Sequence, residues 1–353
     1  MKVYLGLDTS CYTTSCALVS ESGELIGEAR KLLDVKPGAR GLQQSQMVFQ
    51  HTRALPSLIE QLPQDYTLAG IGVSAFPRRE ANSYMPAFLV GHGLARSLSH
   101  IHQVPLYEFS HQENHILAAL RVLQTVPAEP FYSLHVSGGT TELLYCEPNE
   151  DHFFTAELVN GAIDLHGGQF VDRIGVALGL PFPAGPKLEQ LAKGLCRDSA
   201  SLLQTVKQLV KEESFIPLPV AVKQGALSFG GPCSEAMRRL ARLTTKNEED
   251  LKSHDKAMID PMVSPYTLET QQTMALAVFH CICQSLCKML TYEWQQRPAN
   301  RLIAVGGVMA NSYLREALLA FGEKQGVTVQ FAPPEYSSDN ATGVAYGASL
   351  LGK

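Results

Sequence analysis

A strand, a polar turn, a second strand, a tight turn and a third strand occur twice in this chain, once at the N-terminus and once near its middle. Residues 3–8 are apolar and β-prone, and a Ser/Thr-rich turn follows with Thr9, Ser10, Thr13, Thr14 and Ser15. Residues 16–20 read as the second strand, Ser22-Gly23 as a tight turn and residues 24–28 as the returning strand. The same order recurs at residues 132–136, 137–141, 142–147, 149–151 and 153–158. Two β-meander-plus-helix halves of this kind fit a two-lobed nucleotide-binding α/β fold with a cleft between the halves. The competing reading is a generic α/β protein with coincidental repetition.

Between and after the meanders the pattern is mostly helical. Residues 47–62 carry Val48, His51, Leu55, Leu58 and Ile59 at helical spacing. Strands are expected at 68–73, 104–107, 301–305 and 327–331, and helices at 86–100, 112–123, 268–294, 311–325 and 341–351. Helical material fills about 168–253, broken by the proline-rich stretches 181–186 and 216–219. At 353 residues the chain is long enough for about two domains, and 45% hydrophobic with 18% charged residues is an ordinary globular balance. No run approaches the roughly 18 unbroken apolar residues of a membrane span, and the first residues lack the apolar region of a secretory signal. The expected location is therefore the cytoplasm, with no membrane partner. The eight cysteines agree with a reducing compartment, and Cys281, Cys283 and Cys287 read as buried small apolar residues rather than a metal cluster. A net charge of −5 gives no global basic footprint for nucleic acid. Only Arg78-Arg79 and the run Arg238, Arg239, Arg242 and Lys246 are locally basic.

Chemistry is concentrated in a few turns. In Ser137-Gly138-Gly139-Thr140-Thr141, glycines let backbone N–H groups approach a ligand and form an anion-binding concavity; an ordinary hairpin turn uses Gly-Gly equally well. Gly306-Gly307 ends a strand just before a helix opening near Asn311, where ligands dock in α/β sheets. No Gly-Lys-Ser/Thr loop is present. His111 and His115 lie one helical turn apart, spaced for one metal ion; a helix start capped by Ser110 reads equally well. Asp339, just before the final helix, is the candidate third ligand, with helix capping as its alternative. Glu113 points about 200° away from His111, which argues against a metallopeptidase. Asp172, beyond the pair Gly167-Gly168, is a candidate for holding a ribose diol, or a surface helix residue. The turn Phe182-Pro183-Ala184-Gly185-Pro186 is rigid punctuation or a surface against a flat base.

In order along the chain stand His111-x-x-x-His115, Val136-Ser137-Gly138-Gly139, Asp164 through Asp172, Leu180 through Pro186, Ser228-Phe229-Gly230-Gly231, Gly306-Gly307-Val308-x-Ala310-Asn311 with Leu314-Arg315, and Asp339-Asn340-Ala341. This series resembles the tRNA threonylcarbamoyladenosine transferases of the TsaD kind. The start Asp8-Thr9-Ser10-Cys11 is similar to that family's Glu-Thr-Ser-Cys. The resemblance implies an α/β, actin-like ATPase (ASKHA) fold: two duplicated lobes, each a mixed sheet flanked by helices. On that basis residues 1–120 with 330–353 form the N-terminal lobe, and 121–329 the C-terminal lobe with a helical insertion at about 187–265. It implies one divalent metal ion (iron, zinc or manganese) on His111, His115 and Asp339. It implies an adenylate derived from ATP on Ser137, Gly138, Gly139, Asp172, Gly185 and Asn311. The implied reaction moves a threonylcarbamoyl group from threonylcarbamoyl-AMP, or another adenylate, to adenosine in tRNA, with a paralogue and an ATPase as protein partners.

Departures from the family pattern fall elsewhere. Tyr12-Thr13 stand where the family has Asp-Glu, and Asn114 stands where it has Gly. The stretch before His51 lacks the family's Pro-Glu-containing segment, and residues 74–86, with Arg78, Arg79 and Glu80, replace a Gly-Pro-Gly turn. The nucleotide and metal side is kept while the acceptor side is rewritten, as in a divergent paralogue. The expected function is the transferase or a relative with a changed acceptor; the alternative is a non-catalytic partner or scaffold of the modifying complex. An ATPase or sugar kinase is disfavoured because no acid follows Cys11.

Overall fold

The computed structural model describes every residue except 36–41, 125, 151, 197–199, 252–264, 337–338 and 353. The end of the expected helical insertion, residues 252–264, lies outside the described residues, as does the side chain of Lys246. In chain order the elements are β1 (Lys2–Asp8), β2 (Thr13–Ser20), β3 (Leu25–Leu32), α1 (Gln44–Ile59), β4 (Thr67–Phe76), α2 (Phe88–His102), β5 (Leu106–Ser110) and α3 (His111–Leu123). There follow β6 (Phe131–Val136), β7 (Thr141–Asn149), β8 (Phe153–Gly161), α4 (Gly167–Ala177), α5 (Gly185–Lys193) and α6 (Leu202–Lys211). Last come β9 (Val222–Lys223), β10 (Ala226–Leu227), α7 (Gly230–Leu251), α8 (Leu268–Gln296), β11 (Arg301–Val305), α9 (Ser312–Gln325), β12 (Thr328–Phe331) and α10 (Thr342–Leu351).

The duplication visible in the sequence is a duplication of topology. One sheet runs β3-β2-β1-β4-β5 and the other β8-β7-β6-β11-β12, so each meander is extended by two later strands in the same positions. In the first sheet β1 and β3 are antiparallel to β2, while β4 is parallel to β1 and β5 to β4. Hairpin turns suffice for the antiparallel pairs; the parallel ones need crossovers, supplied by α1 and α2.

The chain divides into two compact units. The first holds Met1–Ser133, Tyr145–Glu157 and Ala332–Lys353. Val3, Leu5, Leu7, Cys16, Leu18, Ile71 and Val73 of its sheet pack with Leu55, Leu58 and Ala95 from α1 and α2. Each such aliphatic side chain contributes roughly 1.5–3 kcal/mol when taken from water. α10 lies against β1 and β4, and two glycines make that approach possible. A β-carbon on Gly6 would stand 2.2 Å from the Ala341 carbonyl oxygen, and one on Gly72 would stand 2.0 Å from that of Val344. Gly343 does the same on the opposite side of α10, where a β-carbon would meet the Asn114 carbonyl oxygen at 2.0 Å.

The second unit holds Leu134–Leu144 and Leu158–Phe331. α8 is its core helix: it is long and apolar enough to cross a bilayer by length and composition, yet 72% of its most apolar window is buried within the protein. Cys281 and Cys283 are buried on it. The short hairpin of β9 and β10 interrupts the stretch read from sequence as helical, because two-residue strands leave no periodicity to detect.

Candidate functional site

The start of α3 is fixed by a reciprocal cap. Ser110 Oγ accepts from the Glu113 N–H at 3.1 Å, and Glu113 Oε2 accepts from the Ser110 N–H at 2.6 Å. Ser110 is thus the cap, and it fixes the start of the helix that carries His111 and His115. Their Nε2 atoms stand 3.2 Å apart, each 3.5 Å from Asp339 Oδ1, and the three ligand atoms all lie within 4.8 Å of one another. All three residues belong to the first unit.

The protonation states suit a cation. Burial, and then the neighbouring His115, push the His111 imidazole down to about 4 against the pull of Asp339, so it is neutral near pH 7. Burial raises the Asp339 carboxyl, but hydrogen bonding from His115, the two imidazoles and the Tyr12 N–H together hold it well below the usual carboxylate range. His111 Nδ1 is buried and has no hydrogen-bond partner among the described residues. Two imidazole nitrogens and one carboxylate oxygen facing one point form a donor set that fits zinc, iron or manganese.

Three residues that sequence reasoning gave no role surround this group. Asp8 ends β1 fully buried, accepting from the Ser10 N–H and from Asn114 Nδ2, each at 2.9 Å. Burial, then the charge of Asp339, push its carboxyl up to about 7 against the Ser10 hydrogen bonds. Cys11 Sγ lies 3.9 Å from His111 Nε2. Asn114, beside His115, is buried with its amide fully engaged. The available signal was a lone acid closing an apolar strand and an amide on an otherwise apolar helix face. His51 pins the β1–β2 turn, with Nδ1 2.8 Å from Thr14 Oγ1 and Nε2 3.1 Å from the Cys11 carbonyl oxygen.

The remaining predicted residues lie in the second unit, with Ser137, Gly138 and Gly139 following β6 and Gly306 and Gly307 following β11. Ser137 Oγ accepts from the N–H groups of Thr140 at 3.2 Å and Gly139 at 3.4 Å, which shapes the β6–β7 turn. Gly168 donates to the Ser137 carbonyl at 3.0 Å and Gly167 to Thr141 Oγ1 at 2.8 Å, so α4 starts on this turn. Gly306 has φ of +103°, and a β-carbon there would stand 2.2 Å from the Val136 carbonyl oxygen. By contrast, β-carbons on Gly138, Gly139 and Gly307 would meet nothing within 4 Å. These three glycines leave an open face. Asn311 caps α9, with Oδ1 accepting from the Leu314 N–H at 3.0 Å, while its buried Nδ2 has no acceptor among the described residues.

Asp172 Oδ1 accepts from the Ala184 N–H at 2.8 Å and so ties α4 to the turn before α5, whose first residue is Gly185. Glu189 of α5 accepts from Ser312 N and Oγ at 3.0 and 2.6 Å, which anchors α5 to the start of α9. The locally basic residues are partly engaged: Arg79 is paired with Glu113, and Arg238 and Arg239 with Glu235.

The duplicated sheet order and the paired turns define an actin-like ATPase fold of the ASKHA class. The chain is similar in fold to (R)-2-hydroxyglutaryl-CoA dehydratase component A of Acidaminococcus fermentans, with a TM-score of 0.50 and 15% identity over 100% of this chain and 99% of that one, a likeness of fold alone. Residues 45–346 match the family model TsaD, tRNA N6-adenosine threonylcarbamoyltransferase, and the chain belongs to that family. Proteins of that name from Prochlorococcus marinus strain NATL1A and Carboxydothermus hydrogenoformans are 27% and 28% identical to it. Those alignments cover 99% and 100% of this chain and 90% and 94% of the relatives.

Proposed function

We propose that the protein transfers a threonylcarbamoyl group from an adenylate to the exocyclic amine of an adenosine in tRNA, with one divalent metal on His111, His115 and Asp339. The observation that carries this reading is the meeting of two imidazoles, the His111 ring neutral near pH 7, with the ionised Asp339 carboxylate in a member of this transferase family. A metal held there would supply Lewis acidity and neutralise phosphate charge. His111 and Asp339, already neutral and ionised, would accept it without prior loss of protons. In the second unit the open faces of Gly138, Gly139 and Gly307 leave room for a phosphate, and Asn311 Nδ2, with no acceptor among the described residues, offers a donor to the same ligand. Asp172, Gly185 and Gly306 shape the backbone around it. In the reaction a C–N bond forms between the adenine N6 and the carbamoyl carbon. The bond from that carbon to the phosphate oxygen breaks, AMP leaves with the electron pair, and the amine loses a proton. The acceptor base must be unstacked to reach the donor. This reading places the protein in the cytoplasm with tRNA, a paralogue and an ATPase as partners.

A second reading, a non-catalytic partner of an active transferase, is favoured by Tyr12 and Thr13 at the family's Asp-Glu position: Tyr12 is 42% exposed and Thr13 is buried in β2, so neither places a carboxylate there. The two readings separate in one assay. The purified protein is incubated with unmodified tRNA, threonylcarbamoyl-AMP and a divalent metal, with and without the partner proteins, and the tRNA nucleosides are analysed. Modified adenosine, lost in His111→Ala with His115→Ala, supports the transferase. No product under any condition, from metal-loaded protein, supports the scaffold.

A further inference from the structure

Asn114 sits on α3 directly before His115 and is 1% exposed. Its Nδ2 donates to Asp8 Oδ2 at 2.9 Å and to the Asn340 carbonyl oxygen at 2.6 Å; its Oδ1 accepts from the Val344 N–H at 2.9 Å. One side chain thus joins the end of β1, the residue next to Asp339 and the first turn of α10. Asn340 in turn caps α10, its Oδ1 accepting from the N–H of Thr342 at 3.0 Å. Gly343 keeps the backbone close enough for the amide to span the gap. Buried polar groups of this kind are costly unless satisfied, and both ends of this amide are satisfied across elements distant in sequence.

His111 and His115 ride on the helix that carries Asn114, and Asp339 is covalently bound to the residue Asn114 holds. We infer that Asn114 is a positioning residue that sets the Asp339 carboxylate at its distance from the two histidines. The inference rests on the reading of these three residues as a metal centre. Asn114→Ala removes all three bonds. Asn114→Asp keeps the shape and the bond from Val344, but has no N–H for Asn340 and sets a second carboxylate against Asp8.

The test is a cobalt(II) titration followed by visible absorption on the whole protein, with amide hydrogen exchange measured in parallel at Thr342 and Val344. Leu55→Ala, in the core away from the site, controls for general loss of stability. Both Asn114 variants are expected to weaken cobalt binding about ten- to hundredfold and to alter the ligand-field bands, as loss of a supporting hydrogen bond does at metal sites. Leu55→Ala is expected to leave affinity and bands unchanged. Should Asn114→Ala fail to fold, Asn114→Asp carries the comparison. Wild-type affinity and bands in the folded variants would overturn the inference. If the wild type itself binds no cobalt, the metal reading fails, and exchange decides the positioning role alone. Faster exchange at Thr342, whose N–H is held by Asn340, in both variants without a matching rise in Leu55→Ala upholds it; unchanged protection at Thr342 overturns it.

Discussion

Arg79 closes a two-point fork on Glu113: Nε meets Oε1 at 2.8 Å and Nη2 meets Oε2 at 3.0 Å. The guanidinium also donates to the Glu108 carbonyl at 2.9 Å and lies over the Phe76 ring at 5.2 Å. Glu113 is buried, and it is the residue that caps the helix bearing both histidines. Removing Arg79 strands that carboxylate. Arg79→Ala is therefore expected to destabilise the protein by about 3 kcal/mol, and Arg79→Ala with Glu113→Ala by less than the sum of the two single changes. Urea unfolding of the four species measures the coupling, and additive losses would contradict the account.

The glycines of the second unit separate into those the backbone requires and those a ligand would require. Gly306→Ala combines a positive φ with a clash against Val136 and is expected to cost more than about 2 kcal/mol in thermal or urea unfolding. Gly138→Ala adds a methyl to open space and is expected to stay within about 0.5 kcal/mol of wild type. The same methyl is expected to weaken AMP binding about tenfold, read by calorimetry. AMP binding unchanged in Gly138→Ala would remove this turn from the adenylate site.

Asp164 ties the start of α7 to the stretch before α4. Its carboxylate accepts from Ser228 Oγ at 2.6 Å and from the N–H groups of Leu165, Phe229 and Gly230 at 2.6, 2.9 and 3.0 Å. Burial pushes its pKa up, but these hydrogen bonds outweigh it and the net shift is downward. A depressed carboxylate stabilises the fold at pH above its unfolded value, near 3.9, and that stabilisation fades as pH falls through the folded value. Asp164→Ala is thus expected to cost about 1–2 kcal/mol at pH 7, with the gap to wild type narrowing below about pH 4. Urea midpoints at several pH values check this; a gap that widens in acid would contradict it.

The repeated meander was legible because its signals are local: alternation along each strand and turn residues between them. The pairing of each meander with two later parallel strands was not, since the chain leaves and returns through helices. The glycine turns and the histidine pair were visible as motifs. The bolts behind them were not. Arg79 reads from sequence as half of an exposed basic pair, and only the fold brings Glu113 beneath it. Asp8 and Asn114 are distant in sequence, and their bond exists because Gly6, Gly72 and Gly343 let α10 pack between β1, β4 and α3. The boundary of β5 shifted from the expected 104–107 to Leu106–Ser110 because the strand runs directly into the Ser110 cap.

Metal content shows whether His111, His115 and Asp339 act as one metal centre. Elemental analysis and a divalent-metal titration would be made on the wild type and on His111→Ala with His115→Ala. About one tightly held zinc, iron or manganese per wild-type chain is expected, with about a hundredfold or greater loss of affinity in the double variant. A wild type that holds none after reconstitution, or a double variant that holds as much, would contradict it.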